Sequence, residues 1–192
     1  MTVRALPLAV VFAAVAICLD AQSRPELLRL LGQTVSGTVI SVADGDTIRL
    51  RLDHNKTIIR VRLEGIDAPE RGEPFNVQSR NAARVLLFEK KVLLKAYDVD
   101  NYDRLVARIN VNGIDSSVSL VESGLACHFT RFANDPNLAR AQVLARKSGR
   151  GFWAAGAQKP ACVDFTDAGP SREGGRTLVP PKRQGREGGT VP

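Results

Sequence analysis

Three runs in the first third of the chain alternate apolar and polar side chains at period two, and they predict three strands. Residues 35–43 and 47–52 are joined by Asp44-Gly45-Asp46, a hairpin turn signal, and Asp53-His54-Asn55-Lys56 leads into the third run. There Thr57, Ile59, Val61 and Leu63 alternate with Ile58, Arg60, Arg62 and Glu64, until Pro69 turns the backbone out of the strand. The apolar spacing then changes to three and four residues. Val77, Ala82, Val85, Leu86 and Phe88 predict a helix over 74–91, with Lys90 and Lys91 in its last turn. Two more strand-like runs, 92–97 and 105–111, flank a charged loop at 98–104. Residues 116–123 and 137–147 predict two further helices, the first stopped at Gly124 and the second opened by Asp135-Pro136. A short amphipathic stretch, 25–31, precedes the first strand, and Phe152 and Trp153 are expected to pack beneath the domain.

Five short strands interrupted by one helix, with helices after them, predict an α+β domain over residues 34–155. Its expected core is a closed five-stranded β-barrel of the oligonucleotide-binding type, carrying about three helices. The two ends read differently. Residues 1–21 have the pattern of an export signal: Arg4, an uncharged apolar run at 5–19, then small residues at Ala14-Val15-Ala16 and at Ala21. Retention of that run as a membrane anchor, or lipidation at Cys18, is the alternative, although Ile17 is bulky for a lipoprotein signal. The mature chain is therefore expected to be secreted or periplasmic, or anchored and facing outside. Residues 166–192 are rich in Gly, Pro, Arg and Glu and predict a disordered tail.

Export changes the meaning of the cysteines. An oxidising compartment permits a bridge between Cys127 and Cys162, and two separate thiols are the other reading. Two cysteines with His54 and His128 lack the ligand spacing of a zinc site. The net charge of +7 favours contact with polyanions, nucleic acid first among them.

Candidate chemistry collects where strands end: Asp44 and Asp46 in the first hairpin, Arg62, Asp67 and Glu70 around the end of the third strand, Tyr102 and Arg104 before the fifth. Carboxylate oxygens suit a hard cation such as calcium or magnesium. Asp46, Asp67 and Glu70 carry three negative charges, which a divalent ion and two arginines would turn into one positive charge facing a phosphodiester. Each residue has a plainer reading alone: a simple turn at Asp44-Gly45-Asp46, Arg62 paired with Glu64, Arg104 neutralising Asp100 and Asp103. Their combination and order favour the chemical reading.

Over residues 35–155 the chain resembles the staphylococcal nuclease (thermonuclease) family. The matching segments are Val42-Ala43-Asp44-Gly45-Asp46-Thr47, Arg62-Leu63-Glu64-Gly65-Ile66-Asp67-Ala68-Pro69-Glu70, Asp100-Asn101-Tyr102-Asp103-Arg104 and Gly124-Leu125-Ala126. The resemblance implies a calcium-dependent phosphodiesterase that cuts DNA and RNA on a barrel of this type; oligomeric state has no signal in the sequence, and a monomer is the default expectation. It implies Asp46, Asp67 and the backbone carbonyl of Ala68 as calcium ligands, with Glu70 activating the attacking water. Arg62 and Arg104 would grip the scissile phosphate, Tyr102 would line the nucleotide pocket, and Glu64 would be structural. Asp103 stands where relatives commonly carry glycine, and Phe129 and Phe132 where they often carry tyrosine. A non-catalytic nucleic-acid or protein-binding module is the alternative, but such relatives lose acidic or arginine positions that are all present here.

Overall fold

The structure, a computed structural model, describes residues 24–130 and 133–163. The expected export segment, the expected tail and Phe132 lie outside them. Helix α1 (Arg24–Arg29) leads into β1 (Thr34–Val42), β2 (Thr47–Leu52), β3 (Ile58–Leu63) and a two-residue β4 (Ile66–Asp67). Helix α2 (Asn76–Leu87), β5 (Lys91–Val99), β6 (Leu105–Val111), β7 (Ile114–Asp115) and α3 (Ser116–Glu122) follow. The short β8 (Cys127–His128), α4 (Pro136–Lys147) and a 3₁₀ turn, Gly151–Trp153, complete the order. Among the described residues no helix is long and apolar enough to cross a membrane.

Alternation decides which way each strand faces. Ile48, Leu50 and Leu52 of β2 and Ile59, Val61 and Leu63 of β3 point into one buried core, with Leu94 and Ala96 of β5 and Leu105, Ala107 and Ile109 of β6. The strands pair antiparallel in the order β3-β2-β1-β5-β6, and β6 returns to lie parallel against β3, Val61 opposite Leu105 and Leu63 opposite Ala107. That contact closes the predicted five-stranded barrel. Irregularities in β1 between Val39 and Ser41, and in β5 between Ala96 and Asp98, supply the bends that closure needs.

The helix expected over 74–91 is shorter at both ends. It starts only after Phe75, which sits in the left-handed region at φ 65°, and it stops at Leu87. Glu89 donates its N–H to Val39 O and Lys90 accepts from Val39 N, so strand pairing with β1 takes the backbone that a longer helix would use. Lys91 accordingly opens β5.

Arg108 on β6 binds three carboxylates that are far apart in sequence. Its guanidinium pairs with Glu64 just after β3, with Asp115 at 3.1 Å and with Asp135. Asp115 caps α3 through the N–H groups of Ser117 and Val118, and Asp135 caps α4 through that of Asn137. Glu64 is thus structural, as expected, and its partner is Arg108 rather than Arg62. Burial would raise the Asp135 carboxyl, but the Arg108 guanidinium and the Asn137 N–H outweigh it and hold the group below its ordinary range. Replacing Arg108 with methionine is expected to cost about 2–4 kcal/mol in urea unfolding at pH 7, because three half-buried carboxylates lose one shared cation. A depressed carboxyl contributes stability above its unfolded pKa and loses it as pH falls through the folded value. The gap between wild type and Arg108→Met should therefore narrow below about pH 4.

Candidate active site

The hairpin Asp44-Gly45-Asp46 and the segment from Arg62 to Ala68 meet on the outer side of the barrel, where Thr47 of β2 stands directly opposite Arg62 of β3. Gly45 allows the approach: a Cβ there would fall 1.9 Å from Ser79 Oγ on α2 and 2.7 Å from the Ala68 side chain. The turn is therefore wedged between α2 and the strand-to-loop corner, and no larger residue fits.

Arg62 is only 5 % exposed and is held by two acids. Nη1 pairs with Asp46 Oδ2, while Nη2 donates to Asp67 Oδ1 at 2.9 Å and to the Ile66 carbonyl at 3.1 Å. Asp46 Oδ2 also accepts the Ala68 N–H at 2.9 Å, and Asp46 Oδ1 accepts the Thr47 hydroxyl at 3.0 Å. Thr47 Oγ1 in turn accepts Arg104 Nη1 at 3.2 Å, and Arg104 Nε donates to Asp100 Oδ2 at 2.6 Å. The result is one bonded chain, Asp67–Arg62–Asp46–Thr47–Arg104–Asp100, in which acids and arginines alternate and both guanidiniums are nearly immobilised.

Local sequence explains each anchor. Asp100 Oδ1 accepts the backbone N–H groups of Tyr102 and Arg104, both at 2.9 Å, so the loop before β6 wraps around its carboxylate. Asp103 sits at φ 54°, in the left-handed region that glycine tolerates best, and its carboxylate turns away to Arg24 at 3.0 Å. The charge that departs from the family pattern is thereby neutralised by α1 rather than set against Arg104. The Tyr102 ring stands 5.5 Å from the Arg104 guanidinium and is 40 % exposed, the open edge of the site. Glu70 lies half-buried past Pro69, its N–H donating to Glu73 Oε2 at 2.9 Å, while Asn76 Nδ2 donates to the Pro69 carbonyl at 2.7 Å. Phe129 is buried and is not an exposed stacking surface.

The electrostatics carry an excess of negative charge. Burial of Asp46 is opposed by the Arg62 guanidinium and the Ala68 N–H, which together hold its carboxyl below the ordinary range. Arg62 is held charged by Asp46 and Asp67 in spite of burial. Asp44 fares otherwise: burial, then the neighbouring Asp46 charge, push it up to about 7. Arg62 and Arg104 lie among four acids, Asp44, Asp46, Asp67 and Asp100, and a hard divalent cation would offset the excess. Among the described residues no three histidine, cysteine or carboxylate side chains gather as a metal cluster. Asp46 and Asp67 offer two carboxylates whose oxygens would suit a hard cation, with backbone or water oxygen to complete its shell.

Thr47 was not singled out by the sequence as a member of this chain; Asp100 was read there only as a plain charge partner of Arg104, and Asp103, the other partner in that reading, pairs with Arg24 instead. A second feature extends from the site. Arg49 and Arg60 face each other across β2 and β3, Arg51 lies two residues further along β2, and all three are exposed on the same face as Thr47 and Arg62.

Residues 60–155 match the family described as staphylococcal nuclease homologue. A protein from Haemophilus influenzae named an uncharacterized endonuclease is 33 % identical over 116 residues, which is 60 % of this chain and 65 % of that protein. Another of that name from Escherichia coli O157:H7 is 31 % identical over 121 residues, 62 % of this chain and 78 % of its own length. The chain belongs to the staphylococcal nuclease family. A rice protein (Oryza sativa subsp. japonica) named probable staphylococcal-like nuclease CAN3 is 33 % identical over 139 residues, 72 % of this chain. The alignment covers about a third of that plant relative, 35 % of its length. The family match takes in β3 from Arg60 onward, the Arg62–Glu70 segment and the Asp100–Arg104 loop, whereas Asp44 and Asp46 lie before it.

Proposed function

We propose that the chain is an exported, calcium-dependent nuclease that hydrolyses phosphodiester bonds of DNA or RNA by attack of water. The bonded chain Asp67–Arg62–Asp46–Thr47–Arg104–Asp100 carries this reading, because it presents two fixed guanidiniums beside two fixed carboxylates at the open rim of a barrel.

Asp46, Asp67 and the Ala68 carbonyl would hold the cation. Calcium, when bound, supplies Lewis-acid polarisation of a phosphoryl oxygen and balances the acids that Arg62 leaves uncompensated. The chain's own residues do the rest. Arg62 and Arg104 present N–H donors to the phosphate oxygens, already oriented by Asp46, Asp67, Thr47 and Asp100, so little reorganisation is needed as charge grows there. Glu70 accepts the proton of the attacking water at its carboxylate. Tyr102 offers a ring beside Arg104 for the sugar or base.

Arg49, Arg51 and Arg60 favour a polymeric substrate. Like charges placed opposite each other on a strand pair cost stability, and a polyanion relieves that cost. Residues two apart on a strand repeat at about 6.7 Å, so cations continue outward from the scissile position along an extended backbone. Arg51→Ala is expected to weaken binding of single-stranded DNA, measured in chelator so that nothing is cut, and to reduce the slope of log affinity against log salt by about 0.7. An unchanged slope would remove Arg51 from the path.

The full chain, incubated with single-stranded DNA and with RNA, tests the whole reading. Cleavage is expected with calcium and not with chelator. Undiminished cleavage in chelator would overturn the metal mechanism, and tight binding without cleavage under any condition would make the domain a binding module.

A further inference from the structure

The sequence left the pairing of Cys127 and Cys162 open. The structure joins them as a disulfide with Cα atoms 6.0 Å apart, 35 residues from one to the other. What matters is where the bond lies. Cys127 is the residue opposite Asp67 in the β4–β8 ladder, with Ile66 opposite His128 beside it. The ladder is two residues long, and Phe129 N extends it by a 2.9 Å bond to the Gly65 carbonyl. So short a pairing has little stability of its own. It is backed by a small apolar cluster apart from the main core: Cys127, Cys162 and Phe152, with Phe75, Trp153 and Val163 packed against them.

Phe75 is the second link. It ends the loop that carries Glu70, at φ 65° just before α2, and its ring meets Phe152 edge-on at 6.0 Å. Both the acid at the end of β4 and the acid on the loop after it therefore rest on the same disulfide-bonded cluster. Local bonds accompany the disulfide in the segment that brings Cys162 there. Among the described residues its bonds include Ala157 N to Ala154 O at 3.2 Å and Val163 N to Pro160 O at 3.2 Å, and Lys159 Nζ donates to the Phe152 carbonyl.

We propose that the Cys127–Cys162 disulfide is a positioning element of the active site, fixing Asp67 through β8 and the Glu70 loop through Phe152 and Phe75. It rests on the nuclease reading for its catalytic consequence and on the fold alone for its structural one. The two thiols lose two protons and two electrons to an oxidised dithiol or small-molecule disulfide, which departs as two thiols. The chain is then fully competent only after entering an oxidising compartment, and its reduced form is a weak enzyme with an intact barrel.

The test compares the full chain oxidised, reduced with a phosphine, and as the Cys127→Ala/Cys162→Ala double variant. Amide hydrogen exchange is read residue by residue. Reduction is expected to speed exchange about tenfold or more at 66–67, 127–129 and 70–76, and to leave the amides of Leu50, Val61 and Leu94 unchanged. In the cleavage assay kcat should fall about tenfold or more with KM nearly constant, and the double variant should match the reduced chain with or without reductant. Unchanged exchange at 66–67 and 127–129 would overturn the proposal, as would loss of protection throughout the barrel, which would make the bond a global staple. Altered exchange with unchanged kcat would overturn its catalytic part. If the oxidised chain cuts nothing with calcium, the nuclease reading fails while the exchange result stands by itself.

Discussion

Replacing Arg62 with alanine is expected to lower kcat about 10³-fold or more on a short oligonucleotide in saturating calcium, while the barrel still folds. The first part of the effect is direct. A preoriented donor aimed at charge that develops in the transition state contributes about 10²–10³ in rate, and a guanidinium on a transferring phosphoryl group more. The second part comes from the two acids that Arg62 joins. Without it Asp46 and Asp67 lose the buried guanidinium that joins them, which loosens the Asp46 side chain that also holds the Thr47 hydroxyl and the Ala68 N–H. Breaking such a pair from one side costs about 3–5 kcal/mol of stability. Arg62→Lys separates the two parts. An ammonium restores one charge but does not span both acids with parallel N–H donors, so stability should recover further than turnover. Urea unfolding and single-turnover kinetics on both variants check this, and a fully active Arg62→Ala would refute the assignment.

The second large effect is expected at Glu70. Glu70→Gln keeps the size of the side chain and the backbone bond to Glu73, and removes the carboxylate proposed to take the proton from water. General-base contributions run to about 10²–10⁴ in rate, so kcat should fall by that factor with little change in affinity for single-stranded DNA. The variant should fold as stably as wild type, because the loop is held by Asn76 and Phe75 rather than by the Glu70 carboxylate acting alone. Full activity in Glu70→Gln would give the base role to another group.

Much of this was readable from the chain. Alternation in β2 and β3 located the strands and showed that Arg60 and Arg62 share a face away from the core, because period two leaves no other arrangement for Ile59, Val61 and Leu63. The segment from Arg62 to Glu70 stood out because charge is concentrated where a strand ends. Three things were not readable. The ladder of β4 with β8 is two residues long, too short for any periodicity, and it depends on chain segments about sixty residues apart. Arg108 looks like an ordinary strand residue until Glu64, Asp115 and Asp135 arrive from three other elements. Phe75 delays the start of the predicted helix, and its ring lies against Phe152, a contact that no local propensity encodes. Thr47 belongs with these, and so does the anchoring role of Asp100, which the sequence paired with Arg104 only as a neutralising charge. Their importance is that they lock Arg104, and that becomes visible only when the barrel brings β2 beside the loop before β6.

Neighbouring acids are proposed to have separate tasks, Asp67 at the cation and Glu70 at water, and a calorimetric calcium titration of wild type, Asp67→Asn and Glu70→Gln tests that division most directly. One calcium per chain is expected for wild type and for Glu70→Gln with similar affinity, and binding weakened at least about tenfold for Asp67→Asn. Asp67→Asn that binds calcium like wild type, or Glu70→Gln that loses it to the same degree as Asp67→Asn, would contradict the division.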